Sequence, residues 1–168
     1  MRKLGMSVLF AACLGLFPMG TLLDSAHAAE YEALKDVKSV STMYDFRDGK
    51  VQSGLDHLKL IHETYKDQAV RAISEKPKFV VIFMGPSVML LSKDREKFSE
   101  EEKKKLAEFD SVLSAMDKDG IHLEVCKVAI DYFKVAPDSI ASEIKRVDNG
   151  WIASLGYQHK DYSLVPVF

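Results

Sequence analysis

Residues 120–133 read GIHLEVCKVAIDYF and contain Cys126, one of two cysteines in the 168-residue chain. A cysteine is the side chain most readily turned to nucleophilic and sulfur chemistry, because its thiolate is a strong nucleophile. The other cysteine, Cys13, lies in an N-terminal segment with the parts of a secretory signal peptide. Arg2 and Lys3 supply a positive start, residues 4–23 an apolar run, and Ala26-His27-Ala28 a small-x-small exit. Pro18, the glycines and that exit argue against an uncleaved anchor, and the apolar run continues past Cys13, which argues against lipidation there. Cleavage after Ala28 is therefore expected, giving an exported, periplasmic chain with one domain over residues 29–168. Cys126 is then the one remaining thiol, with no internal disulfide partner. In an oxidising compartment an odd thiol is either buried and inert or held for intermolecular or redox chemistry.

Two readings of Cys126 follow. Cysteine can act as a small hydrophobe, placed in a strand because strands are buried. Alternatively, its position is what matters: in open parallel sheets, ligand and catalytic groups gather just beyond the carboxyl ends of the strands, and Cys126 ends the apolar run IHLEVC. A helix N-terminus or Lys127 beside it could favour the thiolate. The same strand-end geometry places Tyr44 and Asp45 after the first strand, and Gly85, Pro86 and Ser87 after the second, as companions of Cys126.

Other chemistry finds little support. There is no G-x-G-x-x-G or G-x-x-x-x-G-K-[ST] cradle, no G-x-S-x-G elbow, and no C-x-x-C. His57 and His62 stand about 140° apart round a helix at 3.6 residues per turn, an awkward placement for one metal. His122 and His159 read as isolated structural residues. No cofactor and no metal site is expected, although a site built across subunits stays open. Loss of Arg2, Lys3 and Asp24 with the leader takes the formal net charge from −2 to −3. With no basic block, nucleic acid and an acidic membrane surface are not expected partners.

The elements that must position these residues alternate between strand and helix. Residues 37–46, VKSVSTMYDF, suit a buried strand, and Asp48-Gly49 is a turn signal. Leu55, Leu58, Ile61, Tyr65, Ala69 and Ile73 recur at three or four through residues 53–74, the stripe of one amphipathic helix. KFVVIFMG, 78–85, is apolar throughout, as expected of a strand covered on both faces. PSVMLLS reads as a surface-lining loop or short helix. Over residues 99–120, Ser99 and Glu102 form a capping box, with i,i+4 pairs Glu100–Lys104 and Glu101–Lys105 outside and Leu106, Phe109, Leu113 and Met116 inside. IHLEVC is a third strand, and Pro137 can start a short helix through DSIASEI. A brief fourth strand is expected near Val147, then a final helix, GWIASLGYQHKD. YSLVPVF closes the chain as a strand whose Pro166 suggests an edge. This alternation predicts a parallel sheet with helices on both faces.

Taken in order, these elements resemble the DsrE/DsrF-like family of sulfur-relay proteins, which includes YchN-like proteins. The resemblance is carried by FMGPSVMLL, the long helix ending at Asp119-Gly120, IHLEVC with its terminal cysteine, KVAIDYFKVAPDSI, IKRV and NGWIASLGYQHKDYSLVPV. It implies a three-layer α/β sandwich with a mainly parallel sheet of about five strands. It also implies a homotrimer or homohexamer, for which PSVMLL, Tyr132, Phe133, Trp151 and Phe168 are candidate interface residues. Finally, it implies that Cys126 accepts sulfur as a persulfide and passes it on, so sulfur donor and acceptor proteins are expected partners. The alternative is a non-catalytic oligomeric periplasmic binding protein on the same fold, with Cys126 structural, because fold alone does not decide function.

Overall fold

The computed structural model describes residues 31–168; the signal peptide expected over residues 1–28, with Cys13, lies outside them. Five strands form one sheet: β1 (Ser41–Phe46), β2 (Lys78–Phe83), β3 (His122–Cys126), β4 (Lys145–Val147) and β5 (Ser163–Val167). Their order is β4-β3-β2-β1-β5, with every neighbouring pair parallel. The helices are α1 (Val51–Lys66), α2 (Gln68–Ile73), α3 (Glu100–Lys118), α4 (Lys127–Phe133) and α5 (Gly150–Gln158).

Successive side chains of a strand point to opposite faces, and the register sorts them into two layers. Tyr44 and Phe46 of β1 share a face with Phe79 and Phe83 of β2, where Phe46 and Phe83 meet Phe109 of α3 and Phe79 meets Tyr65 of α1. Leu123 and Val125 join that face through their pairing with Val81 and Phe83. On the opposite face, Glu124 and Cys126 both contact α5, at Tyr157 and Gly150. Helices therefore cover both faces, which explains why β2 is apolar along its whole length. Pro166 sits on the edge strand β5, where its missing N–H costs no ladder bond.

The long helix α3 carries the expected capping box, with the Ser99 Oγ accepting from Glu102 N and Glu102 returning to Ser99 N. Glu101 pairs with Lys105 as expected, whereas Glu100 reaches Lys103 instead of Lys104. Three further segments differ from the sequence reading. The single helix over residues 53–74 is two, because Asp67 leaves helical geometry and its carboxylate caps α2 at Ala69 N. The segment Gly85–Leu91 is a 3-10 helix whose Ser87, Val88, Leu90 and Leu91 are buried, so PSVMLL fills the core instead of lining the surface. Gly54 permits this: a Cβ there would lie 2.7 Å from Leu90 Cδ1. Residues 127–133, given no element from sequence, form α4, while the helix expected from Pro137 is only the turn Pro137–Ser139. Seven residues are too few to display a helical period of apolar positions.

Phe109 is fully buried at the junction of the two aromatic strand pairs. Phe109→Ala should lower the unfolding free energy by about 3–5 kcal/mol in urea titration. Lys104→Ala, with no ion pair among the described residues, should stay within about 0.5 kcal/mol.

Candidate functional site

Cys126 closes β3 and is the residue that precedes the first turn of α4. It is a free cysteine and only 5 % exposed. The amide N–H of Gly150, the first residue of α5, donates to its sulfur at 3.2 Å. That approach depends on glycine, since a Cβ at position 150 would lie 2.5 Å from Met84 Sδ and 3.0 Å from Cys126 Cβ. Asn149 sets up the turn, its side-chain oxygen accepting from Trp151 N and capping α5.

Cys126 lies on the wall of a cavity of about 300 Å³ beyond the carboxyl ends of β2 and β3. Met84, Gly85, Ala129 and Phe133 line it with Cys126, and Val128, Tyr132 and Trp151 stand exposed around it. Its charged group is Arg47. Both oxygens of Asp45 accept from Arg47 Nε, at 2.8 and 3.0 Å, which holds the guanidinium beside the cavity. The site thus offers a sulfur with an N–H donor on it, a cation nearby and an apolar rim.

The companions expected from strand-end geometry divide. Gly85 lines the cavity, in the left-handed region at φ 57 that glycine tolerates. Asp45 serves it indirectly through Arg47. Pro86 packs against Gly49, where an added Cβ would meet Pro86 Cβ at 2.6 Å. Ser87 is buried and donates to the carbonyls of Phe46 and Met84, latching the ends of β1 and β2. Tyr44 faces the opposite side of the sheet, against Phe79, because it is one residue out of phase with Asp45. Lys127 is committed to Asp131 at 2.6 Å, and that hydrogen bond and charge raise its pKa.

Arg47, Asn149 and Gly150 were not singled out from sequence, whereas Tyr132 and Trp151 of the rim were, as candidate interface residues. Arg47 could have been found by parity, two residues beyond Asp45. The Gly150 contact could not, because 24 residues separate it from Cys126. Of the histidines, His57 meets Asp48 and His62 meets Asp119, so the two serve different elements. Among the described residues no group of three His, Cys, Asp or Glu is placed to hold a metal ion.

This arrangement sits in a chain whose residues 23–166 match the model of the DsrE/DsrF-like family. The chain belongs to that family. Several solved structures share its fold, among them the following two. The protein of unknown function MTH1491 from Methanobacterium thermoautotrophicum has a TM-score of 0.59 at 12% identity, covering 76% of this chain and 99% of its own. The YchN protein of E. coli has a TM-score of 0.51 at 11% identity, covering 77% and 99%. No curated protein matches the sequence. The family match and the neighbours agree on a DsrE-like α/β fold, which this chain builds around a five-stranded parallel sheet.

Gly150→Ala should push α5 away from Met84 and Cys126. The expected outcome is a lower melting temperature together with faster labelling of Cys126 by an aromatic disulfide reagent. Wild-type values for both would show that the close approach is not required.

Proposed function

We propose that the protein is an exported DsrE-like sulfur carrier that works through Cys126. The observation that carries this reading is a free cysteine at a strand's carboxyl end, hydrogen-bonded by Gly150 N–H and facing a cavity that also holds Arg47. The Cys126 thiolate attacks the outer sulfur of a donor persulfide. A new S–S bond forms, the donor's S–S bond breaks, and the donor leaves as a thiol. An acceptor thiolate then attacks the outer sulfur of the Cys126 persulfide and releases the Cys126 thiolate. Electrons balance within this exchange, so no external oxidant is needed. The cavity gives the added sulfur room, and partial shelter slows the over-oxidation that an exposed thiol suffers.

One observation favours the second reading, a binding protein with a structural cysteine: Cys126 is 5 % exposed and packs beside Met84 and Gly150. The two readings separate on Cys126→Ala. A carrier loses the uptake of one sulfur atom from a sulfane donor, read by mass spectrometry, while its melting temperature barely moves. A packing cysteine gives a variant destabilised by about 1 kcal/mol or more, and the wild-type protein takes up no sulfur.

Location and assembly complete the proposal. The N-terminal segment supports export, with a mature chain that begins at Ala29. N-terminal sequencing of periplasmic material should return that residue, and Met1 would refute it. Val128, Tyr132 and Trp151 are exposed around the cavity, a grouping that supports docking of a partner there. The proposed assembly is a homotrimer or homohexamer, and light scattering that gives a monomer mass at micromolar concentration would overturn it.

A further inference from the structure

A second cavity, on the opposite face of the sheet from Cys126, runs between α1 and the edge strand β5. Its volume is about 550 Å³, within the range of roughly 300–1,000 Å³ typical of small-molecule sites. Leu60, Ile61, Val165 and Phe168 give it apolar walls, and three polar side chains reach it, Tyr44, His57 and Thr64. Thr64 is already engaged, its hydroxyl donating to the Leu60 carbonyl at 2.7 Å.

The other two each keep a hydrogen-bonding atom without a partner among the described residues, and they differ in character. Tyr44 is only 6 % exposed, lines the cavity, and its hydroxyl has no hydrogen-bond partner among the described residues. Burial raises its pKa, so the group keeps its proton and can donate. His57 is held from behind, with Nδ1 3.0 Å from Oδ2 of the buried Asp48. Burial alone would raise the Asp48 carboxyl. Hydrogen bonds from Ser53 and the Lys50 amide, with the charge and hydrogen bond of His57, outweigh that and hold it below its ordinary range. An ionised Asp48 can only accept, so Nδ1 carries a proton towards it and Nε2 is the ring nitrogen that Asp48 leaves unengaged. A tyrosine hydroxyl and a ring nitrogen oriented by Asp48 therefore line the same apolar cavity.

We propose that this cavity is a binding site for a small apolar molecule bearing one hydroxyl group, of the phenol or alcohol class. The ligand hydroxyl accepts from Tyr44 and donates to His57 Nε2, while its hydrocarbon part covers Leu60, Ile61 and Val165. The site lies on the other face of the sheet from Cys126 and stands or falls independently of sulfur transfer.

The test titrates the full mature chain with para-propylphenol and follows amide-resolved NMR spectra. Saturable shifts are expected in α1 and β5, with Kd on the order of 1 mM or tighter for a ligand of this size. Tyr44→Phe, which removes the Tyr44 hydroxyl, should weaken binding roughly 3- to 10-fold, the loss of one net hydrogen bond. Propylbenzene, which lacks the ligand hydroxyl and so both bonds, should bind roughly 10- to 100-fold more weakly than the phenol. Leu60 is exposed on the rim, so Leu60→Trp should fold normally and block the cavity. No saturable shift, shifts confined to other elements, or a second copy of the chain covering the cavity would overturn the proposal. So would equal binding of the phenol and the alkylbenzene, or undiminished binding by Leu60→Trp.

Discussion

A strand buried on both faces must send each residue to one side or the other, and this alternation governs the rest of the structure. On one face the choice gathers Tyr44, Phe46, Phe79 and Phe83 into an aromatic layer under α1 and α3. On the other it sets Asp45, Ile82 and Glu124 side by side through the register, with Cys126 two residues further along β3. A slip of one residue would turn Cys126 into the aromatic core and bring a valine to the cavity wall. Covering both faces with helices makes such a slip expensive, because every apolar contact in both layers would be exchanged.

The Cys126 side of the sheet is held differently from the aromatic side. Of α5, only Gly150 is buried, so apolar burial contributes little to its docking. A polar contact does part of the work. Tyr157 donates to the Glu124 carboxylate at 2.9 Å, and His122 meets the same oxygen at 3.0 Å. Burial, followed by the Glu124 hydrogen bond and charge, raises the Tyr157 pKa and keeps it a donor. The second Glu124 oxygen is buried without a partner among the described residues, at a cost of order 1–3 kcal/mol or more for such a group. That cost falls on the residue that ties α5 to the sheet, and α5 in turn carries the N–H that meets the Cys126 sulfur. Position of the sulfur therefore depends on a polar tether and a missing Cβ more than on hydrophobic packing.

Two cavities result from the same layering, each at a place where one layer runs out. The first opens beyond the carboxyl ends of β2 and β3, where parallel sheets collect their functional groups. The second opens along β5, whose outer edge meets no further strand among the described residues and whose Leu164, Val165 and Phe168 are exposed. Tyr44 and Asp45 are adjacent in sequence yet serve different cavities, Tyr44 the second and Asp45, through Arg47, the first.

The alternation of apolar strands with amphipathic helices was enough, by itself, to determine the parallel α/β sheet, the capped helix α3, the edge position of Pro166 and the place of Cys126 at a strand's end. These are local properties: period, capping chemistry and backbone donors act over a few residues, and they leave a mark in those residues. Only the tertiary structure decided that PSVMLL is core, because its burial rests on Gly54 admitting Leu90 from another element. It alone broke the helix at Asp67, since an apolar stripe can run unchanged through a cap. It likewise separated Ser87, Pro86 and Tyr44 from Cys126, and supplied Arg47 and Gly150 in their stead. Contacts across 24 or more residues depend on the register of strands and the approach of helices, and no periodicity in the chain encodes them.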